Sequence, residues 1–238
     1  MKNLFNFIFT ICCGIFMQAQ TPYSGELSYT KTYYYFDTLS LDTSISRYDI
    51  SKKTVYMAEA HIYTDTSSFI KPWLSQNLGT LKLNGIPLSF SEILSSYQDT
   101  IERKNNKSQL WELNCFDASK NFTANISIIM PTVEALHIIP DFIHTSSSTT
   151  FNYGNVNNAD SVQVIVYDFN RPELAPYSKT ASAGATSITI DQSELSAFVN
   201  GNANVILSFI QDTSITANEK NYKYSKRFNI VRPVAIKE

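Results

Sequence analysis

Apolar and polar residues alternate with a period of two through most of the chain beyond residue 20. This is the spacing that sends successive side chains to opposite faces of an extended strand. It predicts strands over Gly25–Phe36, Thr54–Thr64, Gly79–Leu83, Gln109–Phe116 and Phe122–Met130. It resumes over Ala135–Ile139, Thr149–Tyr153, Ser161–Asp168, Thr186–Ile190, Asn204–Gln211 and Tyr222–Val231. The runs are short, rich in β-branched and aromatic residues, and bounded by Gly, Pro, Asn and Ser, which reads as a sandwich or barrel. The sharpest local signal is TLKLNGIPLSF, where Asn84-Gly85 supplies the two positive-φ residues of a tight hairpin turn. Helix is sparse. In DQSELSAF, Asp191 and Glu194 stand at capping-box spacing ahead of Leu195 and Phe198, predicting a single helical turn, and FSEILSSY predicts another.

A boundary falls in MPTVEALHIIPDFIHTSSSTT, punctuated by Pro131 and Pro140, after which the composition turns to Ser and Thr. The expected organisation is an N-terminal segment, residues 1–20, then a β domain over 21–131 and a second over 132–238. The first of these domains reads as a sandwich or partly open barrel. Within the second, TTFNYGNVNNADSVQVIVYD followed by TSITIDQSELSAFVNGNANVILSFI resembles the B–C hairpin and E–F crossover of immunoglobulin-like and fibronectin-III-like modules of exported bacterial proteins. The resemblance implies an Ig-like sandwich in an all-β chain. The inter-sheet cysteine pair and the C-strand Trp are missing, which excludes a close antibody-type match. Such folds host many functions, so the resemblance fixes no activity.

Of 238 residues, 43% are hydrophobic and only 17% charged, below the ~25% usual for globular chains. Much of the surface is therefore Ser, Thr and Asn. A formal charge of −2 and the lack of any basic cluster argue against nucleic acid as a partner. The N-terminus, MKNLFNFIFTICCGIFMQAQTPYS, has Lys2 ahead of an apolar run from Leu4 to Met17, the layout of a secretory signal peptide. That run is shorter than the ~20 residues a membrane-spanning helix needs. Ile precedes Cys12 where a lipoprotein signal has a small residue. The expectation is export to an extracellular, cell-surface or periplasmic location, with no transmembrane segment after cleavage. Cleavage leaves Cys115 alone, so no intrachain disulfide is expected, and its alternation with Trp111 and Leu113 predicts a buried strand position.

Catalytic motifs are absent. There is no GxSxG elbow, no HExxH, no Gly-rich phosphate loop and no calcium loop. His61 shares a strand face with Glu59 and Tyr63, and His137 and His144 flank Asp141, without metal-ligand spacing. No catalytic residue, metal or cofactor is expected. Carboxylates in or beside strands, Glu26, Glu59, Glu112 and Asp117, could form a hydrolytic pair only by meeting in space. Asn106, Asn121 and Asn125 head formal glycosylation sequons, and Asp99 and Asp160 head Asp-Thr/Ser-apolar tripeptides.

The run SYTKTYYYFDT carries four consecutive aromatics. Alternation assigns Leu27, Tyr29, Lys31, Tyr33 and Tyr35 to the core face and Ser28, Thr30, Thr32, Tyr34 and Phe36 to the other. Tyr34, Phe36, Trp73 and Trp111 are the candidate ligand-binding residues, against the alternative that these rings only pack across strands. The sequence reads as an exported, non-catalytic β protein serving adhesion, scaffolding or assembly at the cell envelope, its partner an envelope protein or a glycan. The alternatives are a carbohydrate-binding protein that stacks sugars on exposed aromatics, or a secreted hydrolase.

Overall fold

The computed structural model describes residues 24–35, 52–63, 77–93, 96–99, 108–116, 118, 121–127, 129–171 and 173–238. The first half of these contains β1 (Gly25–Tyr35), β2 (Lys52–Ile62), β3 (Gly79–Leu83), β4 (Ile86–Pro87), β5 (Ser89–Ser91), β6 (Ser96–Asp99), β7 (Ser108–Cys115) and β8 (Phe122–Ser127). Then follow β9 (Thr132–Val133), β10 (Phe142–His144), β11 (Thr149–Asn152), β12 (Val156–Asn157), β13 (Ser161–Asp168), β14 (Tyr177–Ser182) and β15 (Ser187–Ile190). The chain ends with α1 (Gln192–Leu195), β16 (Gly201–Ala217) and β17 (Lys220–Lys237). Among the described residues, one helical turn stands against this array of strands. The class is all-β.

One nine-stranded sheet organises the molecule, in the order β14-β13-β16-β17-β1-β2-β6-β5, with β10 added beside the end of β17. Its spine is the β16–β17 hairpin, paired from Gly201↔Ile236 to Ala217↔Lys220. Asn218 and Glu219 close that hairpin, both at positive φ (50° and 62°), the conformation that a two-residue turn needs. The other edge of β17 is shared. β1 runs parallel to it over Gly25↔Tyr222 to Tyr34↔Val231, and β10 takes Ala235 to Lys237.

Smaller layers cover one face of this sheet and make two cores. Near the hairpin turn, the β4-β3-β7-β8 sheet buries Leu81, Leu83, Trp111, Leu113 and Phe122 against Leu27, Ala60, Tyr97, Tyr222 and Tyr224. At the other end, β11–β15 and neighbouring segments bury Phe151, Tyr153, Ile188, Ile190 and Leu195 against Val162, Val164, Val205, Leu207 and Phe209. This second unit is a two-layer sandwich, the architecture implied by the immunoglobulin- and fibronectin-like pattern. The β16–β17 hairpin contributes to both cores, since Ala217, Tyr222 and Tyr224 belong to the first and Phe228, Ile230 and Val234 to the second.

A polar row marks the seam. In register across the sheet lie Ala58, Tyr29, Lys226 and Gln211. Lys226 is buried, and its desolvation pushes the ammonium pKa down, partly countered by Asp160. The next row places Lys31 Nζ 5.2 Å over the Phe228 ring. The stem of Lys31 covers apolar surface while the charge takes an aromatic face.

Several local expectations are met in detail. Asn84 and Gly85, at φ 52° and 78°, close the two-residue turn between β3 and β4. The Asp191 backbone N–H donates to Glu194 Oε2 at 2.8 Å, capping α1 and turning the fully buried Leu195 into the second core. Cys115, expected at a buried strand position, is only half-buried at the end of β7, where it packs on the edge of the first core.

Candidate functional site

The strands that build the cores with one set of side chains present the other set outward. On β1 that set is Glu26, Ser28, Thr30, Thr32 and Tyr34, flanked by Met57, Glu59 and His61 of β2 and by Lys223, Ser225, Arg227, Asn229 and Val231 of β17. Together they line a cavity of about 470 Å³ on the face opposite both cores. Register orders it into rows. His61, Glu26 and Lys223 form the first, Glu59, Ser28 and Ser225 the second, and Met57, Thr30 and Arg227 the third. Thr32 pairs with Asn229 in the fourth and Tyr34 with Val231 in the fifth. The groove thus runs from a charged end through hydroxyl and amide groups to an aromatic, aliphatic end. From Glu26 to Tyr34 it extends roughly 26 Å at strand rise.

The charged end is internally wired. His61 Nε2 lies 3.4 Å from Glu59 Oε1, and that same oxygen accepts from Ser96 Oγ and Gln98 Nε2, each at 3.1 Å. The His61 hydrogen bond, ahead of the opposing effect of burial, holds the Glu59 carboxyl below the usual carboxylate range. Glu59 is therefore an ionised acceptor at neutral pH and no proton donor. Its contacts also run in the wrong order for a nucleophilic triad, because Ser96 donates to the carboxylate and makes no contact with the imidazole that would have to activate it. Lys223 Nζ is engaged by Asp212 at 3.0 Å, and Asp212 also accepts from the Ser225 hydroxyl.

The middle of the groove is different. Thr30 is 6% exposed on the floor, and Arg227 is exposed above it. Among the described residues, Ser28, Thr30, Thr32 and Arg227 make no side-chain hydrogen bond or ion pair. These groups face the groove with their hydrogen-bonding capacity unspent.

Of the four aromatics singled out from sequence, Tyr34 lines this groove, half-buried at its aromatic end. Phe36 and Trp73 lie outside the described residues. Trp111 is a correction. It is fully buried, and its Nε1–H donates to Gln109 Oε1 at 3.2 Å inside the first core. A ring sealed under two layers cannot stack on a ligand, and the alternation with Leu113 already placed it on the apolar face. The reading missed Lys223, Arg227 and Asn229, although KYSKRFN carries the signal: polar residues at every odd position between buried Tyr224, Phe228 and Ile230. The histidines near Asp141 take no shared role, as that carboxylate is held by the buried Arg232.

A second, smaller cavity of about 200 Å³ lies where the segment after β13 meets α1, lined by Leu174, Tyr177, Glu194 and Phe198 among others. Lys179 Nζ binds Glu194 at 2.7 Å and Asp191 at 3.1 Å, and Tyr177 donates to Glu194 at 2.8 Å. Lys179, first among these, lowers the Glu194 carboxyl to about 2. This cluster reads as a cap on the edge strand β14.

No protein-family model and no curated protein matches the chain. Among solved structures, the crystal structure of chicken CNTN1 FN1-FN3 domains is similar, with 10% identity, a TM-score of 0.29 and coverage of 76% of this chain. The chain spans about 63% of the length of that structure. At that TM-score the likeness carries no argument about fold, ligand or partner. No helix among the described residues is long and apolar enough to cross a membrane.

Proposed function

We propose that this chain is an exported, non-catalytic binding module that serves adhesion, scaffolding or assembly at the cell envelope, and that it engages its partner through the outer face of the β2-β1-β17 strands. The observation that carries the reading is the row of unspent polar groups, Ser28, Thr30, Thr32 and Arg227, in a groove of ligand size. Export rests on the N-terminal segment, whose removal takes away Lys2 and no other charged residue. The non-catalytic part rests on the order of the Ser96, Glu59 and His61 contacts, which is not that of a nucleophilic triad. In-cell cross-linking followed by purification and mass spectrometry tests it, comparing the native protein with Arg227→Glu. A partner captured by the native chain and lost with the variant supports the reading. Capture that ignores the variant moves the contact elsewhere.

A second reading is binding of carbohydrate. It is favoured by one observation, that Tyr34 closes a groove whose middle is lined by the hydroxyls of Ser28, Thr30 and Thr32 and the amide of Asn229.

A further inference from the structure

We infer that the outer-face groove binds a neutral, extended oligosaccharide, laid along β1 from the Glu59–His61 end to Tyr34. The inference rests on the reading of this face as the binding face and names the ligand class. Three features select that class. First, the groove carries charges of both signs, Glu26 and Glu59 beside Arg227 and the Asp212-paired Lys223, so neither an anionic nor a cationic chain is matched along its length. Second, its free groups both donate and accept. The hydroxyls of Ser28, Thr30 and Thr32, which donate and accept, have no partner within the described residues, and the Arg227 guanidinium adds donors; the Glu59 carboxylate, engaged through Oε1, adds acceptor capacity at Oε2. Sugar hydroxyls, which do both, satisfy such a lining; an apolar ligand would strand it. Third, an extended peptide finds no main-chain partner here. Both edges of β1 and β17 are already paired within the sheet, and strand addition needs an open edge. The half-buried Tyr34 ring at the end of the groove supplies the apolar contact that one sugar face needs.

The roles separate along the groove. Arg227 and Thr30, in one register row, grip the middle of the chain. Glu59, oriented by Ser96, Gln98 and His61, accepts from hydroxyls at one end. Tyr34 covers a ring at the other.

The test is binding of the chain from Thr21 onward to an array of neutral glycans, followed by calorimetry with the best linear tetrasaccharide. Arg227→Ala should weaken that binding about tenfold or more, and Thr30→Val about threefold to tenfold, the effects of a charge-assisted and a neutral hydrogen bond. Tyr34→Ala should weaken it comparably. Ile129→Ala, at an exposed position that does not line the groove, should leave it unchanged. No neutral glycan bound, or binding that Arg227→Ala and Thr30→Val both leave intact in folded protein, overturns the inference. If glycans fail while cross-linking still captures a protein that Arg227→Glu loses, the ligand class is wrong and the binding face stands.

Discussion

Gln109 offers the most direct test of how the first core is fastened. It is 2% exposed, and its Oε1 accepts from two donors, Trp111 Nε1 at 3.2 Å and Tyr224 Oη at 2.9 Å. The indole N–H can only donate, which fixes the orientation of the amide and makes Tyr224 the second donor. One oxygen therefore joins β7 of the covering sheet to β17 of the main sheet. Gln109→Leu keeps most of the volume but strands both donors in the core. Each buried unsatisfied donor costs about 1–3 kcal/mol, and the added apolar side chain returns about 1 kcal/mol. The expected loss is thus about 1–5 kcal/mol, read from urea unfolding followed by tryptophan emission and far-UV circular dichroism together. A second substitution makes the reasoning sharper. Tyr224→Phe removes a satisfied hydroxyl in the native protein and should cost about 1 kcal/mol. In the Gln109→Leu background the same change removes a stranded hydroxyl and should restore stability. The sign must reverse between backgrounds. A Gln109→Leu protein within about 0.5 kcal/mol of native, or a Tyr224→Phe effect of one sign in both backgrounds, would refute the bridge.

Three further outcomes follow from the same structure. Gly79 sits at φ 150°, and a Cβ there would lie 2.1 Å from the Asn114 carbonyl oxygen, backbone that cannot swing away. Gly79→Ala should therefore cost at least the ~1–3 kcal/mol of an overpacked core site, measured by urea unfolding; a neutral effect would show that the β3–β7 approach is looser. In a Trp73→Phe variant, emission from Trp111 should be blue-shifted and insensitive to iodide until the protein unfolds, since the ring is fully buried. Red-shifted, quenchable emission in folded protein would reopen Trp111 as a surface residue. Burial raises the phenols of Tyr63, Tyr222 and Tyr224, the first two to about 12. Because the folded values exceed the unfolded value near 10, their contribution is complete below pH 10 and is lost as pH climbs from 10 towards 12. The part of the tyrosinate absorbance that Tyr222→Phe removes should appear together with loss of circular dichroism, and its appearance at lower pH would contradict the burial of that ring.

Period-two alternation was enough to place most strands because each has one buried face, and it sorted β1 correctly into a core side with Leu27 and Tyr29 and an outer side with Thr30 and Tyr34. Turn chemistry was legible at Asn84-Gly85, where glycine makes positive φ cheap. It was illegible at Asn218-Glu219, where the same turn is built without glycine. The strand before it, DTSITA, has only Ile215 and Ala217 as apolar residues on its buried face, so its alternation is weak and the hairpin reads shorter than it is. Composition and the N-terminal segment carried the expectation of export, and local spacing carried the capped turn at Asp191. The groove needed the tertiary structure. Its two halves, Ser28–Thr30–Thr32 and Ser225–Arg227–Asn229, stand almost two hundred positions apart and meet by parallel pairing of β1 with β17. No turn joins parallel neighbours, and polar outer residues leave no apolar signal to declare which strand lies beside which. The sequence determined which side chains face outward; only the pairing decided which of them share a site.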